Sequence, residues 1–194
     1  MEKIQKLYRK RSKEIKARLR EFETNKDIFQ ELCYCLLTPG TSAFRADSAI
    51  KELSERRLLS IGNERQISNV LKKKIRFHNT KAKNIVMARK NFKEISCNLE
   101  REWIVQNVKG LGWKEASHFL RNIGKGRNLA IIDRHILKNL KEFGFIDKVP
   151  ETVSSRKQYL GYEERVREFS RKSGIPMEEL DLLLWSKETG TVFK

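Results

Sequence analysis

Apolar residues recur at helical spacing along most of this chain, whereas the alternating pattern of a strand is almost absent. A first helix is marked by Ile4, Leu7, Ile15, Leu19 and Phe22. Further helices are predicted over 27–37 and from about residue 42, and then near 64–75, 80–92, 99–107, 114–123, 133–143, 155–173 and 177–186. Only three prolines interrupt the pattern, and no linker rich in Gly, Ser or Pro divides it. The chain is therefore predicted to be all-α and to fold as a single domain over residues 1–194.

Local signals mark the helix boundaries near residue 40. Asp27 is expected to cap the helix over 27–37, and Pro39-Gly40 is expected to end it. The next helix is predicted to begin at Thr41 or Ser42. It is expected to bury Phe44, Ile50 and Leu53.

The charge of the chain narrows the range of partners. Lys and Arg number 42 against 25 acidic residues, which gives a net charge of +17 at pH 7. Such a surplus favours polyanions, either nucleic acid or an acidic membrane surface. Basic residues are dense in the first 20 positions and over 72–93 and 121–141, and three such stretches favour a DNA-facing surface. No apolar run approaches the roughly 18 residues of a membrane span, and no secretory signal is visible at the start. An intracellular protein without a membrane segment is expected.

The cysteines and histidines give no metal pattern. An odd number of cysteines without a CxxC pair argues against a disulfide framework and against a four-cysteine cluster. The histidines are scattered, so neither a metal nor a cofactor is predicted. The residues concerned are Cys33, Cys35, Cys97, His78, His118 and His135.

A turn with two glycines, Val108-Lys109-Gly110-Leu111-Gly112, separates two predicted helices within residues 99–124. Because glycine has no Cβ, such a turn can be tight and can present its backbone N–H groups outward. With the N-terminus of the following helix, these groups can hold a phosphate without reading the base sequence. Lys109, Gly110 and Gly112 are therefore candidate DNA-binding residues of a helix-hairpin-helix.

Lys114 and Asp133 are the candidate catalytic pair. Lys114 lies close to the turn, after Trp113, and one helix, a Gly-containing turn and an apolar run lead from it to Asp133. A deprotonated amine there could attack the anomeric carbon of a sugar and form a Schiff base, with the carboxylate stabilising the cationic sugar. The amine would need burial or positive neighbours to be nucleophilic, and Lys109 and Arg121 are candidates. Two alternatives remain open: Lys114 as a phosphate contact alone, and Asp133 as a helix cap.

These segments resemble the compact 8-oxoguanine DNA glycosylase/AP lyase family of archaea and some bacteria. This family belongs to the helix-hairpin-helix–GPD superfamily of base-excision glycosylases. The resemblance covers nearly the whole chain, through segments that occur in the family's order. They are CYCLLTPGTSA, IRFHNTKAKNIVMAR, GWKEASHFLRNIG, AIIDRHILKNL and LLLWSKETGTVFK.

The resemblance implies roles for individual residues. Lys114 matches the family's nucleophile and Asp133 its catalytic aspartate. Phe77 and Trp185 match aromatic residues that sandwich the flipped base, and Lys194 matches a terminal lysine of the lesion pocket. Without the resemblance, Phe77 and Trp185 would be interpreted as core aromatics and Lys194 as a frayed end.

The resemblance also implies an architecture and an activity. It implies a compact two-lobed helical fold with the active site in the cleft and the catalytic aspartate in a segment at about 129–140. The expected enzyme is a monomer that excises 8-oxoguanine from damaged duplex DNA and cuts 3′ to the abasic site by β-elimination through a lysine Schiff base. It would use no metal or cofactor and would work in the cytoplasm, on the nucleoid of a prokaryote.

Two positions depart from the pattern, and three other functions remain open. The run Asn-Leu-Ala-Ile-Ile before Asp133 lacks the proline of the superfamily's Gly/Pro-rich loop. Gly40 stands where many members carry a glutamine that probes the opposite strand, which leaves the opposite-base preference open.

The alternative functions are a glycosylase for another oxidised base or mispaired adenine, a non-catalytic helix-hairpin-helix DNA-binding module, and a basic structural or RNA-associated protein.

Overall fold

The computed structural model describes residues 1–193, and its regular structure over that range is entirely helical. The prediction of an all-α protein is confirmed for these residues. Contacts within the chain define two compact units. One, which we call the terminal unit, comprises Met1–Asn25 and the chain from Arg121 onward; the other, the middle unit, is Lys26–Leu120. The single domain over 1–194 stays a prediction.

The middle unit is built around one apolar helix. Its helices are α2 (Ile28–Leu37), α3 (Ala43–Glu55), α4 (Leu58–Ile61), α5 (Glu64–Leu71), α6 (His78–Lys90), α7 (Phe92–Cys97), α8 (Arg101–Asn107) and α9 (Trp113–Asn122), the last two residues of which belong to the terminal unit. Helix α2 is buried continuously from Glu31 to Leu37 and packs on α3 and α6. A helix that is apolar on all sides must be enclosed by others, so α2 forms the centre of this unit.

The terminal unit packs around the last helix. It contains α1 (Glu2–Glu23), α10 (Arg134–Glu142), α11 (Arg156–Ser173) and α12 (Met177–Thr189). Helix α12 contacts α1, α10 and α11, and its residues Glu179–Leu184 are all buried. No helix within residues 1–193 is both long enough and apolar enough to span a membrane.

Most predicted helix boundaries agree with the structure because they depend on local capping. The Asp27 side chain accepts from the backbone N–H of Gln30 at 3.0 Å, and Ser42 caps α3 by accepting from Arg45. The sequence analysis missed α4 and α7, because four and six residues are too few to show a helical period.

The prediction that Phe44 faces inward is wrong. Its side chain is 52% exposed, whereas Ile50 and Leu53 are buried as expected. The buried face of α3 begins at Ala46 and continues through Leu53. Since two residues turn a helix by about 200°, Phe44 points away from the face that Ala46 shares with the core.

Candidate active site

Two buried apolar residues anchor the turn between α8 and α9. Val108 and Leu111 are buried, whereas Lys109, Gly110 and Gly112 are exposed. The N–H of Leu111 donates to the Val108 carbonyl at 3.2 Å and closes the turn. The apolar residues thus fix the turn to the middle unit while its polar backbone faces outward.

Gly110 is required for two reasons. Its φ of +97° lies in a region that L side chains rarely adopt. A Cβ at this position would also lie 2.3 Å from Nδ2 of Asn84 on α6. The glycine therefore allows both the turn and its close approach to α6.

The first turn of α9 has the backbone arrangement that suits binding of an anion. The N–H of Ala116 donates to the Gly112 carbonyl at 2.9 Å, so the helix begins directly after the turn. The first N–H groups of a helix lack partners within it and carry partial positive charge. With the exposed ammonium group of Lys109 nearby in sequence, this end of α9 can bind a DNA phosphate.

Arg101 of α8 stabilises the start of α9. Its guanidinium lies 5.0 Å from the centre of the Trp113 ring and donates to the Ser117 hydroxyl at 3.2 Å. Ser117 in turn donates to the Trp113 carbonyl at 2.9 Å. The two helices of the hairpin are therefore joined by side chains as well as by the turn.

Lys114 lies in this first turn of α9 with its side chain partly accessible. The side chain is 30% exposed, and its Nζ is 3.1 Å from Oε1 of Glu115. Glu115 is mostly buried and was not identified from the sequence. The amine is thus held next to the turn between α8 and α9 and stays partly accessible to solvent.

A second lysine, Lys81 of α6, is almost fully buried, with 5% exposure. Its Nζ donates to the carbonyls of Leu37 and Pro39 at 2.8 and 2.7 Å and to the Thr41 hydroxyl at 3.2 Å. Burial lowers the pKa of Lys81 to about 8. The carboxylate of Glu115 opposes this change in pKa, and the positive charges of Lys114 and Arg76 contribute to it.

Phe77 is exposed at the start of α6. Its ring is 66% exposed, its φ is +56°, and the guanidinium of Arg76 lies 5.4 Å from the ring centre. A bulky residue in the left-handed region is uncommon and marks a constrained backbone. The ring does not belong to the core, so the interpretation as a core aromatic fails for Phe77.

Asp133 caps α10. Its Oδ1 accepts from the backbone N–H of Ile136 at 2.8 Å, and its own N–H donates to the Ile131 carbonyl at 2.8 Å. The capping role that the sequence left open is therefore real. It uses Oδ1, and a catalytic role for the half-buried carboxylate is compatible with it.

Tyr159 of α11 fixes the segment that leads to Asp133. Its hydroxyl donates to the Ala130 carbonyl at 2.6 Å and accepts from the N–H of Ile132 at 3.2 Å. This is the segment in which the superfamily's proline is missing. Two hydrogen bonds from a buried side chain now restrain that backbone.

A buried ion pair accompanies Asp133 in the terminal unit. Nη1 of Arg121 lies 3.5 Å from Oδ2 of Asp181, and both side chains are buried. Burial raises the pKa of Asp181 to about 7; the positive charge of Arg121 opposes this, and the charge of Asp133 adds to it. Asp133 therefore interacts electrostatically with a second carboxyl group.

Trp185 lies on α12 and is only partly buried. Its ring stacks with Phe193 at a centroid distance of 6.2 Å and an interplanar angle of 29°. The guanidinium of Arg18 approaches the Phe193 ring to 5.9 Å. Lys194, which the sequence analysis singled out, lies outside the described residues.

The candidate residues divide between the two units. The middle unit contains the turn, Lys114 and Phe77, along with Lys81 and Glu115, which the sequence analysis missed. The terminal unit holds Asp133 and Trp185, along with Tyr159 and Asp181, also missed. One signal for Lys81 was available: it lies four residues before Ile85, on the apolar face of α6. Among the described residues, no three His, Cys, Asp or Glu side chains form a group that could hold a metal ion.

Known proteins match the chain over almost its whole length. The family model for 8-oxoguanine DNA glycosylase matches residues 8–175. The 8-oxoguanine DNA glycosylase/AP lyase of Fusobacterium nucleatum is 43% identical, over 98% of this chain and 96% of the relative. That of Methanocaldococcus jannaschii is 39% identical, over 98% of this chain and 99% of the relative.

Solved structures agree. The M. jannaschii 8-oxoguanine glycosylase/lyase in complex with a 15mer DNA containing 8-oxoguanine matches with a TM-score of 0.88 at 36% identity, over 100% of both chains. The Thermotoga maritima 8-oxoguanine DNA glycosylase matches with a TM-score of 0.89 at 32% identity, over 100% of this chain and 97% of that one. The resemblance found in the sequence is confirmed: this chain belongs to the 8-oxoguanine DNA glycosylase family.

Proposed function

We propose that this protein is a bifunctional base-excision repair enzyme. It releases 8-oxoguanine from duplex DNA as a glycosylase, and it cuts the strand 3′ to the abasic site as an AP lyase. The observation that carries the proposal is the position of Lys114, an amine that is partly open to solvent in the first helical turn after a phosphate-binding hairpin. The names of the relatives give the substrate class.

DNA binding is assigned to the hairpin and the basic surface. The backbone at Gly110 and Gly112, the N-terminus of α9 and the Lys109 ammonium would contact phosphates, which requires no particular base sequence. The net charge of +17 adds attraction over the whole polyanion. The damaged nucleotide would then turn out of the helix for its base to be read.

The flipped base requires aromatic surfaces. The exposed ring of Phe77 and the partly exposed ring of Trp185 are the candidates for stacking on it. Lys194 stays a prediction from the resemblance.

The chemistry assigned to Lys114 proceeds in three steps: release of the base, opening of the sugar ring and β-elimination. The neutral amine attacks C1′, the bond from C1′ to the base breaks with its electron pair leaving on the base, and the base takes up a proton. Asp133 stabilises the positive charge that develops on the sugar. The bound amine then passes a proton to O4′ as the C1′–O4′ bond breaks, which opens the sugar ring to a protonated Schiff base. Loss of a C2′ proton to a base then forms the C2′–C3′ double bond, and the C3′–O bond breaks with its electron pair leaving on the 3′ phosphate.

Borohydride trapping tests this function. The enzyme is mixed with duplex DNA that carries a single 8-oxoguanine, in the presence of EDTA, and the covalent adduct is measured on a denaturing gel. Wild type should form the adduct and Lys114→Gln should form none. Lys109→Gln, a lysine removed from the same hairpin, is the matched control: it should still form the adduct at saturating enzyme.

Each other result identifies an alternative. An adduct on abasic DNA alone would keep the lysine chemistry and point to another damaged base, which a panel of lesions would identify. The absence of both adduct and cleavage on lesion and abasic DNA would leave a DNA-binding module. Equal affinity for RNA and lesion DNA would favour the structural role.

The proposed substrate also implies a location. An enzyme that acts on chromosomal DNA in a prokaryote is expected on the nucleoid in the cytoplasm. We also expect it to act as a monomer. Sedimentation of the DNA complex at one protein per lesion site would support that stoichiometry.

A further inference from the structure

A row of stacked side chains joins the first and last helices of the terminal unit. The guanidinium of Arg18 on α1 lies 4.9 Å from the centre of the Phe22 ring and 5.9 Å from the centre of the Phe193 ring. Phe193 in turn stacks with Trp185 of α12 at a centroid distance of 6.2 Å. These separations are within the ranges of cation–π contacts and aromatic stacking. We call Phe22, Arg18, Phe193 and Trp185 the stacked row.

The α1 end of the stacked row is fixed by burial. Phe22 is only 3% exposed, and a second guanidinium, that of Arg121, also lies 4.9 Å from its ring centre. Arg18 pairs with Glu21 on the same helix, and its Nε is buried and has no hydrogen-bond partner among the described residues. A planar guanidinium stacks well on aromatic faces. The rings of the row therefore set the orientation of Arg18 together with Glu21.

The backbone that leads to Phe193 is also held by α1. Nη2 of Arg11 donates to the Gly190 carbonyl at 2.8 Å. Gly190 directly follows α12 and has a φ of +87°, the left-handed conformation in which many helices end. Arg11 and Arg18 are about two helical turns apart, so they project from the same face of α1. This face of α1 thus holds both the end of α12 and the ring of Phe193.

Trp185 is the residue on which the stacked row acts. Its side chain is only partly buried, and a ring that packing does not fully enclose can change rotamer unless a neighbour restricts it. Stacking of a flipped base needs a ring that is already held at the right angle. Phe193 supplies this restriction, because its ring lies against the indole at an interplanar angle of 29°.

Resting on the proposed stacking of the lesion base on Trp185, we propose that Phe193 and Arg18 are positioning residues for the Trp185 ring. Phe193 supports the indole, and Arg18 holds Phe193 against it. The two residues act on the reaction through the angle at which the indole receives the base. The sequence analysis identified neither of them, because they are far apart along the chain and only the fold brings them into contact.

The proposal separates the two activities of the enzyme. Release of 8-oxoguanine requires that the base be held in its pocket, whereas an abasic site has no base to stack. Loss of the stacked row should therefore slow base release and leave cleavage at a preformed abasic site unchanged. Damage to folding or to DNA binding would reduce both.

The experiment measures single-turnover rates at saturating enzyme on two duplexes, one with 8-oxoguanine and one with a preformed abasic site. Phe193→Leu removes the ring and keeps an apolar side chain, whereas Phe193→Tyr retains the ring. Arg18→Gln removes the guanidinium. Arg171→Gln is its matched control, since Arg171 is an exposed arginine of the same unit that also pairs with a glutamate, Glu164.

Phe193→Leu should slow release of 8-oxoguanine roughly threefold to tenfold, because an aromatic pair is lost. Arg18→Gln should slow it roughly twofold to fivefold. Both variants should cleave the abasic duplex at the wild-type rate, Phe193→Tyr should restore most of the release, and Arg171→Gln should match wild type. A folded Phe193→Leu protein that releases the base at the wild-type rate would overturn the proposal, as would an equal loss on both duplexes.

A double variant tests whether Trp185 is the residue that is positioned. Phe193→Leu should add little to the loss in Trp185→Leu, because no indole is then left to support. Losses that multiply in the double variant would show that Phe193 acts elsewhere and would overturn the proposal. If Phe193→Leu shows no cooperative thermal transition, Arg18→Gln decides by the same comparison of duplexes, and a wild-type rate of release there overturns it.

Failure of the proposed function gives a different result. In that case wild type releases no 8-oxoguanine, or Trp185→Leu releases it at the wild-type rate. Failure of the stacked-row proposal leaves release in wild type that depends on Trp185, with Phe193→Leu unaffected.

Discussion

At the scale of single residues, the chemistry depends on how burial and neighbours change ionisable groups. Lys114 is partly open and paired with Glu115, whereas Lys81 is enclosed and has a lowered pKa of about 8. One carboxylate oxygen of Asp133 caps α10, and burial raises the pKa of Asp181 to about 7. A carboxyl group with a raised pKa beside a candidate catalytic aspartate is common where acid–base chemistry occurs.

Asp181 should make the stability of the protein depend on pH. Its pKa is about 7 in the folded state and 3.8 in its reference state, so the folded protein binds more protons between these values. The free energy of unfolding should therefore fall as pH rises through this window, by roughly 1 kcal/mol per pH unit at most. Asp181→Asn stays neutral and should lose this slope.

Thermal unfolding at mildly acidic and neutral pH checks the prediction. The melting temperature of wild type relative to Asp181→Asn should decrease as pH rises. Asp147→Asn, an exposed aspartate of the same unit, should follow wild type. Parallel curves for wild type and Asp181→Asn would contradict the assignment.

At the scale of elements, short connections carry the candidate site and side chains from helices hold them. The hairpin is fixed by the buried Val108 and Leu111 and by the approach of Gly110 to α6. Lys81 holds the turn after α2, and Tyr159 holds the segment before α10. Such connections lack the regular hydrogen bonds of a helix, so these restraints give them a defined geometry.

Tyr159→Phe should loosen the segment before Asp133. The change removes the hydroxyl that serves the Ala130 carbonyl and the Ile132 N–H, and leaves two buried backbone groups without that partner. We expect a loss of about 1–3 kcal/mol in the free energy of unfolding. Excision of 8-oxoguanine should slow because the cap and carboxylate of Asp133 follow this segment.

Chemical denaturation and a base-release assay measure the two effects. Tyr162→Phe is the matched control, since it removes the hydroxyl of a neighbouring, partly exposed tyrosine on α11. Full activity and stability in Tyr159→Phe would contradict the prediction and would show that apolar packing alone holds the 128–132 segment in place.

At the scale of the whole molecule, two features matter most: the net positive charge, and the division of the candidate residues between the two units. The net charge of +17 is large enough to attract many phosphates of a DNA duplex at once. The proposed nucleophile belongs to the middle unit and the proposed aspartate to the terminal unit. Helix α9 contains residues of both units, because Lys114 in its first turn belongs to the middle unit and Arg121 in its last turn belongs to the terminal unit.

Binding to undamaged duplex DNA should therefore depend steeply on salt. Neutralised phosphates release counterions, so the logarithm of affinity should fall linearly with the logarithm of salt concentration. Lys109→Gln should reduce the slope by about 1, because it removes one phosphate contact. Lys172→Gln should not, since Lys172 is paired with Glu168 at 2.8 Å.

Fluorescence anisotropy over a range of salt concentrations gives both slopes. An unchanged slope for Lys109→Gln would show that this lysine does not contact a phosphate. A flat salt dependence in wild type would contradict the electrostatic account of binding as a whole.

The sequence by itself determined the features that depend on neighbours along the chain. Capping by Asp27 and Ser42, the helical periods, the glycine hairpin and the surplus of positive charge all involve residues a few positions apart, or simple sums. The position of Lys114 after the turn and of Asp133 at a helix start belong to the same class, which is why both were identified as candidates.

Only the tertiary structure decided which polar groups are enclosed and what they contact. Burial of Lys81, the restraint of the 130–132 backbone by Tyr159 and the pairing of Arg121 with Asp181 join residues far apart in sequence. The exposure of Phe44 likewise depends on which face of α3 the other helices cover. Loss of water around a charged group and the direction of a hydrogen bond arise from packing, and no local pattern encodes them.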